Sequence, residues 1–299
     1  MAEQLRVTTA EGQGVAVAAE TLTAIAQRIQ EEAARLFRED RVDVIIGYGR
    51  AWREDVVTPR FVTDAARVGE LIFDEHCTNN LAKYLVGADG LLTSPLKTAK
   101  GKPRVAVVAT PAALRAIAGL IQEHQFKRED VIVLGIVDGC AVGIEPDVIV
   151  GHVAEDQARQ ARIHQQLERL ESMSVAERWA WWEEQFAKCI RCYACRQVCP
   201  FCYCEQCIAD ENQPQWIERS LTPMNNRIWN TIRAFHLVGR CVDCGECERV
   251  CPVDIPLSLL NCKMIDEVKE TFGYVAGETT DAASALFSFR VDDPDDFIK

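Results

Sequence analysis

Eight cysteines stand in two runs of identical spacing. Cys189, Cys192, Cys195 and Cys199 follow the pattern C-x2-C-x2-C-x3-C and are closed by Pro200; Cys241, Cys244, Cys247 and Cys251 repeat it and are closed by Pro252. Gaps of two residues keep three sulfurs on one tight loop, whereas the cysteine after the longer gap starts a turn that faces away. Such a loop can wrap three corners of a compact cubic body and leave its fourth thiol for a second one. Twelve of the 14 cysteines lie between Cys189 and Cys262, with only Cys77 and Cys140 before them. The chain therefore divides into a cysteine-poor part and a cysteine-rich part.

The spacing is that of bacterial two-cluster ferredoxins, in which three thiolates of a run hold one [4Fe-4S] cluster and the fourth crosses to the other. It assigns Cys189, Cys192, Cys195 and Cys251 to one cluster, and Cys241, Cys244, Cys247 and Cys199 to the second. Zinc also takes four thiolates, but structural zinc uses two short cysteine pairs and has no need of a third and fourth cysteine in each run. Between the runs lie Cys202, Cys204 and Cys207, at C-x-C-x2-C, which supply three corners of a third site, [4Fe-4S] or zinc. Its fourth ligand has to come from Cys77, Cys140 or Cys262. Cys262 falls one position off the apolar face of a helical pattern and reads as a thiol outside the cluster set.

Composition limits the partners. With 33 basic against 45 acidic side chains and a formal net charge of -12, the chain would be repelled by nucleic acid and by anionic membrane. Neither a signal peptide nor an apolar stretch of about 20 residues is legible. The reading is a soluble, cytoplasmic protein whose thiols stay reduced and available to metals.

The remaining pattern predicts an α/β N-terminal part. Leu22, Ile25, Ile29, Ala33 and Leu36 recur at helical spacing within an N-terminal helical segment, residues 1–39. Val42 to Ile46 reads as a buried strand ending at Gly47. Residues 104–109 form a second strand, and Thr110 and Pro111 suit the start of a helix whose face is Leu114, Ile117, Ala118 and Ile121. Val131 to Ile136 forms a third strand, so the three pieces make a parallel βαβ unit with a right-handed crossover. The α/β domain spans 40–153, a helical linker 154–188, the iron–sulfur domain 189–275 and a tail 276–299, acidic and loose from Val291 to Lys299. Within the iron–sulfur domain, Ile228, Ile232 and Phe235 predict a connecting helix, and Leu257, Leu260, Met264 and Val268 another that stops at Gly273.

Other candidate chemistry is thin. Gly12 with Gly14, and Gly47 with Gly49, lack the third glycine of a dinucleotide fingerprint. Lys97, Lys100 and Lys102 read as a solvated basic loop. His76, His152, His164 and His236 are scattered singly, and Trp179, Trp181, Trp182 and Phe186 read as packing before Cys189.

The order of parts, and the stretches Cys77 to Leu85, Leu120 to Glu123, Lys127 to Val131 and Cys199 to Cys204, resemble the beta-subunit family of deazaflavin-reducing hydrogenases and formate dehydrogenases. Cys251 to Leu257 also resembles ferredoxin-type subunits of heterodisulfide-reductase-like complexes. The resemblance implies an electron-transfer subunit within a hetero-oligomer, with a catalytic oxidoreductase subunit and other redox subunits as partners and no catalytic residue of its own. It favours Cys77 as the fourth ligand of the third site, with Cys140 as runner-up. Some relatives carry a flavin such as FAD, which gives an alternative: a subunit that reduces a deazaflavin, nicotinamide or quinone-like acceptor. The chain departs from the family where Ala109 to Arg115 replaces a cysteine-containing turn and where residues 151–163 hold no cysteine, so the cluster those ligands would build is not expected.

Overall fold

A computed structural model of the chain describes residues 5–8, 14–17, 21–94, 101–138, 143–153 and 156–284. Gly12, Lys97, Lys100, Cys140 and the stretch from Val291 to Lys299 lie outside the described residues. The chain separates into two compact units: residues 1–155 with 277–280, and residues 156–276 with 281–299.

In the first unit, strands β1 (Leu5–Thr8) and β2 (Gly14–Val17) pair antiparallel. Helix α1 (Leu22–Arg38) buries Ile25, Ile29, Ala33 and Leu36, the face that its periodicity predicts, and Thr21 caps it by accepting from the Ala24 N–H. A five-stranded sheet follows, from β3 (Val44–Arg50), β4 (Val57–Val62), β5 (Val105–Ala109), β6 (Val131–Val137) and β7 (Val148–His152), in the order β4-β3-β5-β6-β7. Strands β3, β5, β6 and β7 run parallel and β4 is antiparallel at one edge. Helix α2 (Pro111–Gln122) joins β5 to β6 and packs against both, so the βαβ unit forms with parallel register. Every residue of β5 is buried, as expected for a parallel strand covered on both faces.

Two strand readings need correction. Strand β3 does not end at Gly47 but runs on to Arg50. A Cβ at Gly47 would stand 2.6 Å from the Leu71 Cδ2, so the glycine admits a packing neighbour rather than a turn. Strand β4 escaped notice because its sequence, VTPRFV, holds a proline, which is tolerated at a sheet edge.

The second unit is helical. Residues 154–188 were expected to form one or two helices; the described part forms two, α3 (Gln157–Glu171) and α4 (Val175–Ala187), the second opened by a capping box between Ser174 and Glu177. Short helices α5 (Ala194–Val198) and α7 (Glu246–Arg249) flank the longer α6 (Pro223–Phe235) in sequence, and α8 (Leu257–Phe272) ends at Gly273 in the left-handed conformation. Trp182 and Phe186 stack at 5.4 Å and pack with Ile163, Leu170, Ile255 and Leu257. Trp179 is half exposed and lies beneath the Arg227 guanidinium. Among the described residues, no helix is long and apolar enough to cross a membrane.

Candidate metal centres

The two cysteine loops share one backbone design. Arg191 (φ 53°) and Tyr193 (φ 60°) follow Cys189 by two and four residues; Asp243 (φ 51°) and Gly245 (φ 74°) follow Cys241 by the same steps. A short helix then begins in each, α5 and α7. Left-handed residues curl each loop, and for a side chain other than glycine this costs about 1–2 kcal/mol apiece. Packing offsets the cost. The Arg191 guanidinium lies 4.9 Å from the Trp229 ring and 5.7 Å from that of Tyr193, and Tyr193 meets Trp229 edge-on at 4.9 Å. Asp243 accepts two hydrogen bonds from Arg159 of α3, at 2.6 and 2.9 Å. At Gly245 a Cβ would also stand 3.1 Å from the Arg159 Nη2, a tight contact.

These loops surround two cavities. Cys189, Cys192, Cys195 and Cys251 line one; Cys199, Cys241, Cys244 and Cys247 line the other. In each cavity three thiols come from one run and the fourth from the opposite run. Sulfur also receives hydrogen bonds: the Ile255 N–H donates to the Cys251 Sγ at 3.4 Å, and the Asn261 Nδ2 to the Cys247 Sγ at 3.6 Å. Burial raises the pKa of Cys195, Cys241 and Cys247. At Cys195 the neighbouring sulfurs of Cys189, Cys202 and Cys192 push it further, against the opposing charge of Arg233. Thiols crowded out of water in this way ionise when a positive centre joins them.

The donor set fits a [4Fe-4S] cluster at each cavity. Four soft sulfur donors face each space, as such a cluster takes. Each cavity is also lined by one buried arginine, Arg191 in the first and Arg233 in the second, whose Nε has no hydrogen-bond partner. An orphaned buried donor is costly unless an acceptor meets it, and the sulfurs of an anionic cluster are acceptors. Among the described residues, no group of three His, Cys, Asp or Glu side chains is arranged to hold a single metal ion. Thiols set around a cavity suit a body of several atoms instead.

Helix α6 contributes residues that the sequence reading missed. The helix that Ile228, Ile232 and Phe235 predict is present, with Ile228 and Ile232 half-buried and Phe235 65% exposed, while Asn225, Asn226, Trp229, Asn230 and Arg233 are buried. The Asn226 Nδ2 donates to the Cys189 carbonyl at 2.7 Å, the Arg233 Nη2 to the Cys195 carbonyl at 2.7 Å, and the Asn225 carbonyl accepts from the Arg191 Nη1 at 3.3 Å. Polar residues repeating at helical spacing around a tryptophan, between two cluster loops, were the available signal.

The third-site residues have differing surroundings. Cys202 and Cys207 are partly buried and Cys204 is exposed. Cys207 packs near Ala209, Ile217 and Trp229. Cys77 belongs to the first unit, where the Asp74 N–H donates to its sulfur at 3.3 Å and burial pushes its thiol up to about 12. Its neighbouring segment is a buried corner: Asn80 caps a short 3-10 turn, Leu81–Leu85, and the Tyr48 hydroxyl donates to the Asn79 carbonyl at 2.6 Å. Cys262 is buried on α8 and donates to the Asp243 Oδ1 at 3.2 Å.

Comparison with known proteins adds an independent result. Residues 184–255 match the 4Fe-4S dicluster domain family. The F420-dependent formate dehydrogenase subunit beta of Methanocaldococcus jannaschii is 36% identical over 96 residues, 32% of this chain and 25% of that protein. The F420-dependent formate dehydrogenase 1 subunit beta of Methanococcus maripaludis is 34% identical over 105 residues, 35% of this chain and 26% of that protein. The match thus spans about a quarter of the length of these curated relatives. Residues 184–255 thus carry the dicluster domain pattern, and about a third of the chain is similar to the beta subunits of these formate dehydrogenases.

Proposed function

We propose that the chain is an electron-transfer subunit of a multi-subunit oxidoreductase and passes single electrons through two [4Fe-4S] clusters. The observation that carries this reading is the crossing of the fourth cysteines, with Cys251 lining the cavity of the first run and Cys199 that of the second. Interlocked ligation keeps two one-electron centres adjacent, the requirement for a relay. Each cluster, when bound, takes up and gives back one electron. The chain's own residues hold the sulfurs and donate hydrogen bonds to Cys247 and Cys251. Cys192 is exposed, which supports an edge where a partner can deliver or collect an electron. The relatives' designation as beta subunits supports a catalytic partner in the same complex.

Iron and labile sulfide in anaerobically purified protein test the reading. Two clusters require about eight of each per chain, and a lower content overturns it. The same count decides the third site at Cys202, Cys204 and Cys207: about four further irons support a cluster there, and iron stopping at eight with no bound zinc discards the site. A flavin absorbance band in the same sample decides for the flavin-containing alternative, and its absence after anaerobic reconstitution decides against.

A further inference from the structure

Arg233 touches both cysteine loops. It lies on α6 with 6% of its surface exposed. Its Nη2 donates to the Cys195 carbonyl of the first loop, while the side chain lines the second cavity beside Cys199, Cys241, Cys244 and Cys247. Its Nε–H is buried and has no hydrogen-bond partner. Among the described residues, no carboxylate pairs with it. Burial works against its charge, yet a guanidinium stays protonated at physiological pH, and the sulfurs that face it are those of Cys195, Cys247, Cys202 and Cys199. Three of those four belong to the two thiol quartets, one to the first and two to the second.

A buried, uncompensated guanidinium is expensive, so its retention needs a negative neighbour. Reduction adds one electron, and hence one negative charge, to each cluster. A fixed cation in a region of low dielectric favours that form, and charge and hydrogen bonds to sulfur both set cluster potentials. We propose that Arg233 is a shared positioning residue that raises the reduction potentials of both clusters at once. The electron comes from and returns to the partner, and no proton is transferred because the guanidinium stays charged throughout. This inference rests on the reading that two clusters are bound.

The test uses the full chain, purified anaerobically as wild type, R233Q and R233K. Iron and labile sulfide are counted first, and a redox titration followed by electron paramagnetic resonance comes second. R233Q is expected to keep its clusters and to lower both midpoint potentials by about 59 mV or more, a tenfold loss in the equilibrium constant for adding one electron. R233K is expected to restore both. Unchanged midpoints in R233Q overturn the proposal, as does a shift confined to one cluster or an R233K protein no different from R233Q. Those results leave cluster binding untouched, since a wild-type iron count below that of two clusters is what defeats the underlying reading. Should R233Q fail to hold its clusters, wild-type chain labelled with 15N-arginine decides. Arg233 is the arginine that lines the second cavity, so nitrogen hyperfine coupling at the reduced second cluster supports the proposal and its absence overturns it.

Discussion

At the scale of single residues, Cys199 and Cys251 carry the most specific consequence of the geometry, because each lines the cavity built by the other run. Cys199→Ser is therefore expected to leave the first cluster in place and lose the second, with iron falling from about eight to about four per chain. Its resonance spectrum should match that of Cys244→Ser, whereas Cys251→Ser should match Cys192→Ser. A Cys199→Ser spectrum that matches Cys192→Ser would contradict crossed ligation. The grouping of these eight cysteines around two cavities was legible in the sequence because the spacing of each run keeps three sulfurs on one loop and turns the fourth away. Arg191, Asn226 and Arg233 were not. Their partners are carbonyls and rings of residues that are distant in sequence or set by left-handed backbone, and arginines and asparagines in a helix read as a solvated face until the fold buries them.

At the scale of elements, helix α6 braces the first loop chiefly through Asn226. Asn226→Ala leaves the buried Cys189 carbonyl without its donor, which costs about 1–3 kcal/mol. The expected outcome is faster loss of the first cluster to an iron chelator than in wild type, with the second cluster unchanged, as followed by visible absorbance and resonance. Loss at the wild-type rate would mean that the loop does not depend on α6. In the first unit, Gly151 lies on β7 where a Cβ would stand 2.6–2.9 Å from the side-chain carbons of Ile25. Ile25 is fully buried on α1 and has little room to move. Gly151→Ala should therefore destabilise the α1–β7 contact by about 1–3 kcal/mol, measured as faster amide exchange in α1 and β7, with exchange in α8 unaffected.

The helices α1 and α2 were readable because each carries an apolar stripe at helical period that is buried in whole or in large part; α8 was readable from its stripe although only Leu257 and Val268 of it are buried. The central strands β5 and β6 were readable as apolar runs, that of β6 long enough to survive Gly135. The edges were not, since Pro59 disguises β4 and β7 is a short stretch with a glycine in it. Glycine misled again at β3, where it serves close packing inside a strand and not a turn.

At the scale of the whole molecule, each unit carries its own core, but their sources of order differ. The first buries continuous apolar strands and helix faces, whereas the second places buried cysteines, arginines and asparagines around its two cavities. Removing iron should accordingly loosen residues 189–207 and 241–251 while β3, β5 and β6 keep their protection. Hydrogen exchange before and after anaerobic chelation measures this. Equal loss of protection in both units would contradict it. The similarity to the beta subunits was legible from the order of parts and the cysteine runs. The most direct measurement is electron paramagnetic resonance of the anaerobic wild-type protein after dithionite reduction. Two adjacent clusters should give about two unpaired spins per chain, with signals broadened by their mutual coupling; a spectrum that is silent, or that integrates to a single isolated cluster, would contradict the account.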